Sequence, residues 1–155
     1  MQTLTAGAKA PEFTLLDQHS QPVSLNEFRG QKVLVYFYPK ALTPGCTTQA
    51  CGIRDTKAEW QKLNVKVLGI SPDLPAKLAQ FEQKKELNFT LLSDPEHKVA
   101  EAFGVWGEKK FMGRTFDGIH RISFLINEQG EIEKVFDKFK TGEHHQVVLD
   151  YLQSQ

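Results

Sequence analysis

The chain has 155 residues, 40% hydrophobic and 25% charged, with Lys+Arg and Asp+Glu balanced at 19 each. That length suits a single domain, 1–155, able to bury its own core, and the neutral balance gives the surface no general attraction to nucleic acid or anionic lipid. No window reaches the ~18 apolar residues of a membrane span and the start, MQTLTAGAKAPEF, is not a secretory signal, so the expectation is a cytoplasmic protein whose two cysteines serve redox chemistry rather than a structural bridge.

In chain order, Phe13, Leu15 and Val23 suggest an N-terminal β-hairpin. The run Val33–Tyr38, VLVYFY, is continuously apolar and β-branched or aromatic, as in a central strand buried on both faces. Pro39 ends it, because proline has no N–H for a ladder. A helical stretch follows, with Ala50, Ile53 and Trp60 near one face, and then a second strand, Val65–Ser71. Leu74, Leu78 and Phe81 recur at helical spacing, and Phe89–Leu92 is a short strand. Ser93-Asp94-Pro95 reads as a helix start, with Asp94 as cap and Pro95 in the first turn. Val99, Ala102 and Phe103 supply that helix's apolar stripe and Gly104 stops it.

The stretch GVWGEKKFMGRTFDG reads as a mobile surface loop with one buried aromatic, with Trp106 and the glycines as the alternative border of a substrate entrance and Phe111 and Met112 as hydrophobic pocket candidates. His120–Asn127 and Glu131–Asp137 form an antiparallel hairpin through Glu128-Gln129-Gly130. Val147, Val148, Tyr151 and Leu152 mark a C-terminal amphipathic helix. Lys84-Lys85 and His144-His145 read as surface, and Arg54-Asp55 as either a helix-surface pair or a support for the cysteine segment. This alternation predicts an α/β chain with a mixed central sheet and helices on both faces.

Both cysteines fall in one segment, YPKALTPGCTTQACGIRD. Thr43-Pro44 is a helix start, with Thr43 as N-cap and Pro44 where a missing N–H does no harm. Cys46 then sits in the first turn, where free amides and the helix dipole stabilise an anion, the reactive form of sulfur. A cysteine merely buried at a helix start is the alternative. Across the five residues from Cys46 to Cys51 an ideal helix rises about 7.5 Å and turns about 140°, setting the Cα atoms roughly 8.7 Å apart. A disulfide needs less than about 7 Å, so the two sulfurs cannot join while the helix is intact, and a bond between them requires a turn to unwind. The C-x4-C spacing and scattered histidines do not match a zinc site, and a thioredoxin-type C-x-x-C is absent.

TPGCTTQACGIRD resembles the peroxiredoxins, specifically the Q-type subfamily of bacterioferritin comigratory proteins. The likeness extends through APEFTLLDQ, VLVYFYPKALTPGCTTQACGIRD, VLGISPD, FTLLSDP, FGVWGEKKFMGRTFDGIHRISFLI and the final helix. The resemblance implies a thioredoxin-like fold and reduction of hydroperoxides at the expense of thiols, with no cofactor or metal. By it, Cys46 matches the peroxidatic and Cys51 the resolving cysteine, joined by an intramolecular disulfide. Pro39 and Thr43 match the active-site proline and threonine, and Arg121 the arginine beside the thiolate. Family members often carry an acidic residue where this chain has Gln49. The expected reductant is thioredoxin, with glutaredoxin as a second candidate, and the expected state is a monomer. A peroxide-responsive switch acting on a protein partner would use the same sulfur pair.

Overall fold

The computed structural model describes residues 1–155. Its elements are β1 (Thr14–Asp17), β2 (Pro22–Ser24), β3 (Lys32–Phe37), α1 (Pro44–Asp55), α2 (Lys57–Lys62), β4 (Val65–Ser71), α3 (Pro75–Lys85), β5 (Thr90–Ser93), α4 (Lys98–Phe103), β6 (Trp106–Phe111), β7 (Arg114–Ile119), β8 (Ser123–Ile126), β9 (Ile132–Phe136) and α5 (His144–Gln153). Seven strands make one sheet in the order β2-β1-β5-β4-β3-β8-β9, with β6 and β7 forming a separate ribbon. β3 runs parallel to β4, and β4 to β5, while the remaining sheet pairs are antiparallel. The predicted mixed sheet and N-terminal hairpin are both present.

Side-chain alternation along the strands splits the core in two. Leu34, Tyr36, Val65, Val67, Leu91 and Leu125 face the side covered by α1, α2, α3 and α5. Val33, Val35, Phe37, Leu68, Ile70, Phe124 and Ile126 face the side closed by α4 and the N-terminal segment. Because β3 is covered on both faces, VLVYFY shows no polar alternation. Tyr38 prolongs it, its N–H donating to the Ile70 carbonyl at 3.1 Å.

Several local expectations are corrected. The helix through Ala50, Ile53 and Trp60 is two helices broken at Thr56, whose hydroxyl bonds back to the Gly52 carbonyl at 2.8 Å and accepts from Trp60 Nε1 at 3.0 Å. All three apolar residues still reach one core, so the periodicity survives the break. Leu74 lies before α3 and is exposed, since Pro75 begins that helix. α4 starts at Lys98 rather than at Pro95, because His97 adopts a left-handed φ of 48°. Asp94 nevertheless caps it from upstream, accepting from the Val99 and Ala100 amides at 3.3 and 3.0 Å. Ala100, not Ala102, is buried with Val99 and Phe103.

The stretch read as a loop after Gly104 is the β6–β7 ribbon, paired from Trp106↔Ile119 to Phe111↔Arg114. Its turn, Met112-Gly113, has φ of 51° and 78°, the two positive values that a tight hairpin demands. Trp106 stacks flat on His97 at 3.7 Å and packs with the α4-side core, away from α1. Phe111 and Met112 are exposed at the ribbon tip, outside both of the large cavities.

Candidate active site

The carboxyl end of a parallel strand is where open α/β sheets present their ligand sites, and β3 delivers the sulfur segment there. The loop Pro39–Thr43 is tied to the end of β4. Asp73 Oδ2 accepts from the Ala41 amide at 2.7 Å and from the Ser71 hydroxyl at 2.8 Å. Leu42 takes φ 67°, a conformation uncommon for a residue with a Cβ, immediately before the helix. Pro44 then opens α1 and Cys46 is its third residue.

Cys46 is 1% exposed and Cys51 partly exposed, and both are free thiols on one continuous α1. Cavities of about 350 and 370 Å³ open elsewhere, one beside α2 and β4 and one between β1 and α4. Thr43 stands at the N-cap position, but its side chain does not cap. The hydroxyl donates to the Lys40 carbonyl at 2.8 Å, so it claims none of the first-turn amides.

Arg121, between β7 and β8, joins this turn from across the chain. A Cβ on Gly45 would stand 3.0 Å from Arg121 Nη2, so the guanidinium lies against the residue preceding Cys46. Arg121 Nη1 donates to Gln49 Oε1 at 3.0 Å, and Gln49 is fully buried. The arginine is thus oriented by a neutral amide. It forms no salt bridge, which leaves its charge available to an anion. The structure therefore brings Thr43, Cys46 and Arg121 to the first turn of α1, places Pro39 in the loop leading to it, and sets Cys51 further along the same helix.

Four neighbours were not visible as such in the sequence. Lys109 on β6 reaches in to donate to the Ile119 carbonyl at 2.7 Å. Burial, then the charge of Arg121, lower its pKa, while Cys46 acts the other way. Tyr36 and Tyr38 stack at 5.4 Å beneath α1, and burial above all raises both phenol pKa values, keeping them neutral. His144 corrects the surface expectation outright. It is fully buried, in hydrogen-bond contact with Ser123 Oγ at 2.8 Å and between the rings of Tyr36 and Phe139.

Burial, with smaller contributions from His145 and Arg121, lowers the His144 pKa from its ordinary 6.5 to about 3. The unfolded chain takes up this proton below 6.5 and the fold refuses it until about 3. Stability therefore rises with pH across that window and falls as pH drops through it, approaching about 1.4 kcal/mol per unit. Urea melts of wild type and His144→Gln between about pH 6.5 and about 5 should show a shallower pH slope in the variant. Equal slopes would mean that folded His144 accepts the proton.

A free thiol in the first turn of a helix, with an arginine that forms no salt bridge lying against the same turn at the end of a central parallel strand, is an arrangement suited to the class of thiol-based peroxidases. The AhpC/TSA family model matches residues 6–135. A Haemophilus influenzae chain is 71% identical over 154 residues, spanning 99% of both chains. Peroxiredoxin Bcp of Escherichia coli is 63% identical over 152 residues, 98% of this chain and 97% of that one. Among solved structures, a Xanthomonas campestris bacterioferritin comigratory protein, described for its alkyl peroxide reduction activity, superposes with a TM-score of 0.89. It is 30% identical, over 96% of this chain and 98% of that one. The chain belongs to the AhpC/TSA family, has the thioredoxin-like peroxiredoxin fold, and is an oxidoreductase of the peroxidase type.

Proposed function

We propose that this chain, working as one unit over residues 1–155, reduces hydrogen peroxide and organic hydroperoxides in two sulfur steps. Cys46 thiolate attacks the terminal oxygen of ROOH, alcohol or water leaves, and Cys46 becomes a sulfenic acid. The first turn of α1 then unwinds, and Cys51 condenses with the sulfenic sulfur to form a Cys46–Cys51 disulfide and water. Thioredoxin, or glutaredoxin, restores both thiols through a mixed disulfide.

The observation that carries this reading is the uncompensated Arg121 guanidinium against the turn that holds Cys46. Its charge stabilises the thiolate and the negative charge that builds on the peroxide oxygens. Thr43, its own proton committed to Lys40, presents Oγ1 to accept from the peroxide hydroxyl. First-turn amides donate to the departing oxygen, and Pro39 shields the sulfur from bulk water. With Cys46 1% exposed, peroxide reaches the sulfur when the 39–43 loop or the first turn moves.

No helix is long and apolar enough to cross a membrane. We place the activity in the cytoplasm, and in a monomer, because both sulfurs belong to one chain. The test is NADPH oxidation coupled through thioredoxin reductase and thioredoxin to added peroxide. Sustained turnover is expected, with a Cys46–Cys51 cross-link in peptides of the oxidised chain. A single reaction per chain followed by a stall would instead identify a peroxide-responsive switch.

A further inference from the structure

Arg121 reaches the first turn of α1 from a gap between strands. β7 ends at Ile119 and β8 begins at Ser123, so residues 120–122 belong to neither ladder. Their path is fixed instead by contacts on either side of the arginine. Downstream, the Ile122 carbonyl accepts from the Phe37 amide at 3.2 Å, on the strand that leads to Cys46. Upstream, the His120 amide donates to the Val105 carbonyl at 2.8 Å, and His120 Nε2 meets the Glu108 carbonyl at 3.1 Å. Lys109 adds a third tether, its Nζ donating to the Ile119 carbonyl at 2.7 Å.

The lysine tether is the unusual one. In the ribbon Lys109 stands opposite Phe116, so its side chain must run along β7 to reach Ile119. It passes at Gly118, where a Cβ would stand 3.2 Å from Lys109 Cδ. A lysine on an exposed ribbon ordinarily keeps its ammonium in water. This one is half-buried on a main-chain carbonyl, and neither it nor Arg121 has a carboxylate partner. Burial first, and then the charge of Arg121, disfavour its charged form, while Cys46 acts the other way. Those costs are accepted to hold a carbonyl two residues upstream of Arg121, by a charge-assisted bond of the stronger kind.

We propose that Lys109 is a positioning residue for the peroxide step, its ammonium anchoring the Ile119 carbonyl so that Arg121 stays against the turn that holds Cys46. The proposal rests on the thiolate attack described above and adds a residue to it. The guanidinium has two tasks at once: Nη1 donates to Gln49 Oε1 at 3.0 Å, and Nη2 lies against Gly45. Both are met only if the main chain at 121 is correctly placed. A displacement of about 1 Å is enough to misdirect a charge-stabilising group and cost up to about 10²-fold in rate. Lys109 itself touches no substrate; it acts through the arginine.

Stopped-flow competition for peroxide, which reads the oxidation of Cys46 alone, tests the role in four chains: Lys109→Met, Lys109→Arg, Arg121→Met and the Lys109→Met/Arg121→Met double variant. Methionine keeps an unbranched stem without a donor, and arginine keeps a charged donor. A urea melt establishes that each chain is folded. Lys109→Met should slow the step about 10-fold, and Lys109→Arg should stay within about threefold of wild type. On the Arg121→Met background the same Lys109→Met change should alter the rate less than about twofold, because no guanidinium is left to place. Disulfide closure after oxidation should keep its wild-type rate in Lys109→Met. A wild-type oxidation rate in Lys109→Met, no recovery in Lys109→Arg, an equal loss in closure, or a full effect on the Arg121→Met background would each overturn the role. Absence of any sulfenic acid at Cys46 in the wild type would remove the peroxidase cycle itself, a separate and recognisable failure.

Discussion

Cys46→Ser is expected to reduce catalytic peroxide consumption to the background of the coupling enzymes alone. The substitution leaves α1, Arg121 and the 39–43 loop in place and exchanges sulfur for oxygen. A serine hydroxyl is not ionised near neutral pH, so no anion forms to attack the O–O bond and no sulfenic acid can follow. The hydroxyl enters a site 1% exposed, and its burial costs about 1–2 kcal/mol if it finds no partner, small enough to leave a folded chain. A urea melt establishes that point before activity is compared. Cys51→Ser provides the contrast: it should consume one peroxide per chain and stop, dimedone-reactive at Cys46 and no longer recycled normally by thioredoxin. If Cys46→Ser sustained peroxide consumption with thioredoxin, the nucleophile would have to be another residue, and Cys51 is the sole other thiol.

Where signals were local, the sequence was readable. VLVYFY identifies the central strand because both of its faces are covered, and Thr43-Pro44 marks the start of α1 because proline at a first turn is a local preference. The C-x4-C spacing excludes a bridge on an intact helix, in agreement with two free thiols on one α1. What was not readable depends on partners distant in the chain. Gln49 and Arg121 meet across 72 positions, and nothing near either residue announces the other. His144 and His145 sit in a polar stretch that looks exposed. Only the packing of Tyr36, Phe139 and Ser123 decides that one of them is inside. The ribbon escaped for the opposite reason: its strands are mostly exposed, so WGEKKF has no apolar face to create a two-residue period. The residue–glycine pair Met112-Gly113 was its one available cue. The hydroxyl of Thr43 bonds to Lys40 rather than to the helix, a choice among local acceptors that composition does not reveal.

Arg121→Met should slow the oxidation of Cys46 by peroxide about 10²–10³-fold, the usual consequence of removing one donor aimed at developing charge in a water-poor site. Methionine keeps an unbranched chain of similar length, so the gap beside Gly45 stays largely filled and the charge is what is lost. The neighbouring Lys109 cannot substitute, because its ammonium is already directed at the Ile119 carbonyl and its pKa is lowered by burial. Arg121→Lys should fall between the two: it restores a charge but not the planar fork that engages Gln49 while lying over the first turn. Folding stability should fall by about 1–3 kcal/mol in Arg121→Met, because the Oε1 of buried Gln49 loses its donor, a loss small enough to leave a folded chain. Stopped-flow competition for peroxide gives the first step alone. The later Cys46–Cys51 closure, in which the sulfenic acid is neutral, should keep its wild-type rate. An Arg121→Met rate within about twofold of wild type would show that the helix start alone stabilises the charge, and Arg121 would then be a structural neighbour of Gln49 rather than part of the chemistry.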